Sequence, residues 1–127
     1  VGRRSRRRAR GNDPEPSAPV TDYTDTEGNV LVLRGSLPAR ARQEYARTLA
    51  GEGRVAGAES AREDAWQRAI ELLFERLAVR WTIAGLPVER QDELIGRYRM
   101  ATAEERAWVR DVLREHVAAN FPELDAP

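Results

Sequence analysis

Between Ser60 and Ala84 (SAREDAWQRAIELLFERLAVRWTIA) apolar residues recur at intervals of three and four, the period of an α-helix. On a helical wheel Trp66, Ile70, Leu73, Phe74, Leu77 and Trp81 form one stripe, which Ala65, Ala69, Leu72, Val79 and Ile83 widen. Only Asp64, Gln67, Arg68, Glu71, Glu75 and Thr82 remain as a polar edge. The pattern predicts one helix over 61–84, opened by a Ser60-x-x-Glu63 capping box and stopped by Gly85 and Pro87. Its apolar face is too broad for a surface element and has to be covered, by this chain or by a partner.

The flanking patterns are shorter. Val20 to Arg34 (VTDYTDTEGNVLVLR) reads as a β-hairpin, with turn residues at 26–29 between a polar strand and a β-branched, apolar one. Two strands alone are marginal, so the hairpin must lean on the helices or on another chain. Ser36 offers an N-cap for a helix over about 37–50 with a thin apolar face, and Gly51 to Glu59 reads as a flexible link. Helices over 88–99 and 103–120 follow, the second opened by a Thr102-x-x-Glu105 capping box and ended by Pro122. Val1 to Pro19 is too polar and proline-rich to bury apolar surface and is expected to be disordered. The predicted fold class is therefore mainly α: a single domain over 20–127 of about four helices with an N-terminal hairpin, after a basic leader.

Composition agrees, since about half of the 127 residues are Ala, Glu, Leu or Arg, the balance of a helical protein. The zero net charge hides an asymmetry. Arg3, Arg4, Arg6, Arg7, Arg8 and Arg10 crowd the first 12 residues without an acid, leaving 15 arginines against 21 carboxylates in the remainder. All 21 basic residues are Arg, which reads as the codon bias of a GC-rich genome. No apolar run reaches the length of a membrane span, and the leader lacks the apolar stretch of a secretory signal. The cytoplasm is the expected compartment. The chain begins with Val, and its sole Met is Met100, which fits a non-AUG start, a fragment or a processed product, and the leader is also a candidate for sequence upstream of the natural start.

Candidate chemistry is sparse. With no Cys and a lone His116, neither a thiolate nucleophile nor a zinc finger can form, and no Ser-His-Asp or HExxH arrangement exists. His116 is expected to be structural. The carboxylate pairs Glu71/Glu75 and Glu104/Glu105 fit a wet helix edge and a helix N-terminus, respectively. No catalytic residue, cofactor or metal is implied, and the reading is non-enzymatic. Arg76 and Arg80 fall one predicted turn apart inside the apolar arc, either snorkelling to water or set to meet an acidic partner. The candidate partner-binding set is Trp66, Ile70, Phe74, Arg76, Arg80 and Trp81, a helix-in-groove surface for a partner with amphipathic helices or for a second copy of the chain. The six leader arginines carry an alternative reading, salt-dependent contact with nucleic acid, or a regulatory role. Against it stand the acidic body and the absence of aromatic interleaving.

Three stretches together, TDTEGNVLVLRGSL, DAWQRAIELLFERLAVRWTIAGLP and RYRMATAEERAWVRDVLREHVAANFP, resemble the small helical tail assembly chaperones of long-tailed phages and prophages in actinobacteria. The resemblance spans about Tyr23 to Pro127 and leaves the leader unexplained. It implies a factor, working in the bacterial or phage-infected cytoplasm, that keeps a long tape measure protein soluble while tail tube subunits assemble around it. It also implies a longer frameshifted product beside the short one, and it transfers no individual residue roles.

Overall fold

Val20–Thr24 (β1) and Val30–Arg34 (β2) form the expected hairpin, paired antiparallel from Val20 opposite Arg34 to Thr24 opposite Val30. The computed structural model of the chain describes residues 19–51, 59–124 and 126, so the expected disordered leader and most of the glycine link lie outside the described residues. Asp25 closes the hairpin loop. Its Oδ1 accepts the amides of Glu27 (2.8 Å) and Asn29 (2.9 Å), and its Oδ2 accepts the Asn29 side-chain amide (3.0 Å). Gly28 supplies the left-handed residue that the loop requires, at φ 85°.

Helix α1 spans Ala39–Leu49, with Pro38 rather than Ser36 at its N-cap. Helix α2 runs from Glu59 to Leu77, so Ser60 lies inside it and is not its cap. The expectation of a helix through residue 84 fails at Leu77. Ala78–Ile83 is a strand, β3, antiparallel to β2, and Leu86–Val88 forms β4 beside it. The fold is therefore not mainly α. It is an α+β domain with a four-stranded antiparallel sheet in the order β1-β2-β3-β4. Helices α3 (Gln91–Arg99) and α4 (Ala103–Asn120) complete the described chain.

The physical reason lies in what stops α2. No Gly or Pro breaks the chain at the junction, and the last-turn carbonyls are met by distant side chains instead. Arg34 Nη1 donates to the carbonyls of Arg76 (3.4 Å) and Ala78 (3.3 Å), and Gln91 Nε2 donates to that of Glu75 (3.1 Å). A four-residue spacing such as Leu77 to Trp81 suits a helix, but it equally suits a strand with an irregularity. The β2–β3 register shifts between Val32 and Leu33, leaving Val79 as the extra residue. Ala84 and Gly85, both left-handed (φ 53° and 80°), then make the two-residue turn between β3 and β4.

All four helices contribute to one core, and the sheet presents Leu31, Leu33, Ala78 and Trp81 to it. Phe74 stands at its centre, stacked on Tyr98 at 5.0 Å and edge-on to Trp81 at 5.8 Å. The Thr102–Glu105 capping box is present in full at the start of α4. Glu105 also takes a bidentate grip from Arg97 (3.2 and 2.9 Å), whose guanidinium lies 5.3 Å from the centre of the Trp81 ring.

Candidate functional site

The apolar stripe predicted to receive a partner is covered by the protein itself. Ile70, Phe74 and Trp81 are buried in the core, and Trp66 is half-buried beneath Arg110, whose guanidinium sits 5.0 Å from its ring centre. Arg76 and Arg80 do not share a helical face. Arg76 ends α2 and pairs with Glu44 of α1 (2.9 Å), whereas Arg80 lies on β3 and pairs with Glu89 (3.2 Å). The six candidate partner-binding residues therefore form no groove. The leader arginines Arg3, Arg4, Arg6, Arg7, Arg8 and Arg10 lie outside the described residues.

The surface that remains is the other face of the sheet. Alternation along the strands puts Asp22, Thr24, Val30, Val32, Arg34, Arg80 and Thr82 opposite the core-facing set. None of them belongs to the main core cluster, though Val32 is itself buried, at 3% exposure. Val20, at the start of β1, is 52% exposed. The face is thus rich in β-branched residues, with Asp22, Arg34 and Arg80 as its charges. Strand β1 is also an edge. Gly35 N–H donates to the Pro19 carbonyl (2.8 Å) and Asp25 N–H to that of Asn29 (3.0 Å). These two bonds fix the alternation of the ladder, so Thr21 and Tyr23 bond to β2, and the backbone groups of Val20, Asp22 and Thr24 point away from it.

His116 is fully buried on α4 and joins that helix to the hairpin. Its Nε2 lies 2.7 Å from the Arg34 carbonyl, which can only accept, so Nε2 carries the hydrogen. Nδ1 then accepts from the Tyr23 hydroxyl at 2.9 Å, and the two rings meet edge-on. Burial lowers the His116 pKa, against smaller upward pulls from the Arg34 carbonyl and the Glu115 charge. Burial likewise raises that of Tyr23, aided by Glu115. This contact was not anticipated from sequence. Its one signal was Tyr23, the lone aromatic residue of an otherwise polar strand.

A cleft of about 500 Å³ lies between the β1–β2 loop and the start of α4, walled by Asp25, Glu27, Glu104, Glu105 and Trp108. Two of its carboxylates are already committed, Asp25 to the loop amides and Glu105 to Arg97 and the α4 cap. Among the described residues no group of three or more His, Asp or Glu is placed to hold a metal ion, and none of the helices is long and apolar enough to cross a membrane. No known protein family matches the chain, and no curated protein or solved structure is significantly similar to it.

Proposed function

We propose that this chain is a non-enzymatic assembly factor that binds a helical protein partner, working as the tail assembly chaperones of long-tailed phages do on a tape measure protein. One observation carries the reading: the main core cluster lies on one face of the sheet, while its other face offers Val20, Thr24, Val30 and Thr82 beside β1, an edge strand among the described residues. An amphipathic helix of the partner lies on that face as the protein's own helices lie on the opposite one, with Arg34 and Asp22 at its rim. The partner is met there and not at the Trp66–Trp81 stripe, which the core already uses. The test is co-expression with a tape measure segment, read by co-elution. Paired substitutions Val30→Asp and Thr82→Arg are expected to abolish co-elution while the circular dichroism spectrum stays unchanged. Co-elution that survives them would move the site elsewhere, and failure of the wild-type chain to co-elute would remove the reading.

The charge asymmetry supports a second reading, contact with nucleic acid through the six leader arginines. A chain lacking residues 1–18 would then lose a strongly salt-dependent affinity for duplex DNA, whereas partner capture under the first reading would survive the same deletion.

A further inference from the structure

Strand β1 is an edge strand with little side-chain anchorage. Four of its five residues are exposed, and Tyr23 alone reaches the core cluster. Among the described residues its attachment rests on the ladder to β2 and this one side chain, whose hydroxyl bonds to the only imidazole in the protein. We propose that the Tyr23–His116–Arg34 contact is an acid-released latch: neutral His116 holds β1 on the sheet, and protonated His116 lets it go.

The argument is geometric. The neutral ring uses both nitrogens, donating from Nε2 to the Arg34 carbonyl and accepting at Nδ1 from the Tyr23 hydroxyl. A proton added at Nδ1 turns that acceptor into a donor. It then faces the Tyr23 O–H, which has to reverse, and the Asn120 amide at 3.3 Å, which donates to the same nitrogen and is held in place by its bond to the His116 carbonyl (3.0 Å). The cation would be fully buried with no carboxylate bonded to it. Of the charged groups around it, Glu115 acts only through space from the same helix, and the Arg34 guanidinium is turned to the end of α2. Phe121 closes the remaining side, edge-on at 6.1 Å. The easiest way to hydrate the cation is to lift Tyr23, and with it β1, because the other neighbours belong to the core or to α4 itself. Lifting β1 bares the outer edge of β2, where Leu31 and Leu33 lose their backbone partners. This inference concerns the fold's own attachment of β1 and does not depend on the identity of any partner.

The test uses the internal contrast within β2. By ladder alternation the amides of Leu31 and Leu33 bond to β1, and those of Val30 and Val32 bond to β3. Hydrogen exchange on the full chain, read by NMR as protection factors from about pH 7.5 to about pH 5, spans the titration of an ordinary imidazole. Leu31 and Leu33 are expected to lose protection by up to about tenfold per pH unit, the slope of one proton, while Val30 and Val32 hold theirs. The His116 ring resonances should stay those of the neutral ring as protection begins to fall, and titrate only at lower pH, because the folded pKa is lowered. Tyr23→Phe keeps the ring and removes the bond, so protection at Leu31 and Leu33 should already be about fivefold lower at neutral pH, the equivalent of one hydrogen bond. Equal loss at all four amides would mean global unfolding and would overturn the latch. So would protection at Leu31 and Leu33 that does not change with pH, a ring already protonated at pH 7, or Tyr23→Phe exchange indistinguishable from wild type.

Discussion

Asp25 organises the β1–β2 loop from a single side chain. Desolvation pushes its carboxyl up, but the side-chain and backbone hydrogen bonds from Asn29, with those from Glu27 and Gly28, outweigh it and hold the pKa below the ordinary 3.8. Asp25→Ala is expected to cost about 1–2 kcal/mol in urea denaturation at neutral pH, a figure kept low because the loop is wet. Because the folded pKa is depressed, this contribution is present above the ordinary value and lost as pH falls through the folded one, so variant and wild type should converge in acid. At the β3–β4 turn the strain runs the other way. Ala84 sits at φ 53° while its N–H donates to Asn29 Oδ1 (2.9 Å). Ala84→Gly keeps that bond and removes a left-handed penalty of about 1 kcal/mol, so its melting temperature should rise, in part offset by the entropy of glycine. A fall would show that the turn is not strained.

At the scale of elements, the junction of α2 and β3 decides the fold. The hairpin, α4 and its capping box were legible because their signals are local: Gly28 and Asn29 between two strands, and Thr102 three residues before Glu105. The end of α2 was not legible, because its stop signal is Arg34, 42 residues away from the carbonyl it meets. Trp81 and Leu77 satisfy a helical wheel, while the strand alternation of Arg80 and Thr82 against Trp81 and Ile83 is only four residues long. Ala84-Gly85 is a left-handed pair that lacks the usual Asn or Asp and reads as a helix stop. The candidate site suffered the same error. Once Trp81 moves from helix to strand, the supposed groove becomes core, and the outer sheet face is hidden from the sequence because Ala78–Ile83 reads as helix and most of Leu86–Val88 as the stop after it. The roles separate by mutation. Trp81→Ala should cost about 3–5 kcal/mol by denaturant titration, as loss of a buried aromatic does. Arg34→Met should cost about 1 kcal/mol or slightly more, the worth of a helix-terminal hydrogen bond to a charged group. A negligible cost for Arg34→Met would mean that the α2 terminus is satisfied without it.

For the whole molecule, stability against pH should fall in two separated limbs because its perturbed groups have two chemistries. His116 has a folded pKa below its ordinary value of 6.5, burial being the main cause, so the unfolded chain takes up a proton first. Its contribution is complete above about pH 6.5 and drains away as pH falls towards the folded value. Glu105 is lowered chiefly by the Arg97 hydrogen bonds and next by the Thr102 amide, and it joins Asp25 in a second limb below its ordinary 4.5. The first limb belongs to the hairpin–α4 contact, and the second to the α3–α4 junction and the hairpin loop. Melting temperatures taken from about pH 8 to about pH 3 should therefore show an early decline that His116→Gln removes, with the acid limb left in place. In Glu105→Gln the assignment reverses: the early decline stays and the acid limb shrinks. A wild-type profile flat from pH 7 to pH 5 would mean that His116 takes up its proton equally well folded and unfolded, which its two committed ring nitrogens do not allow.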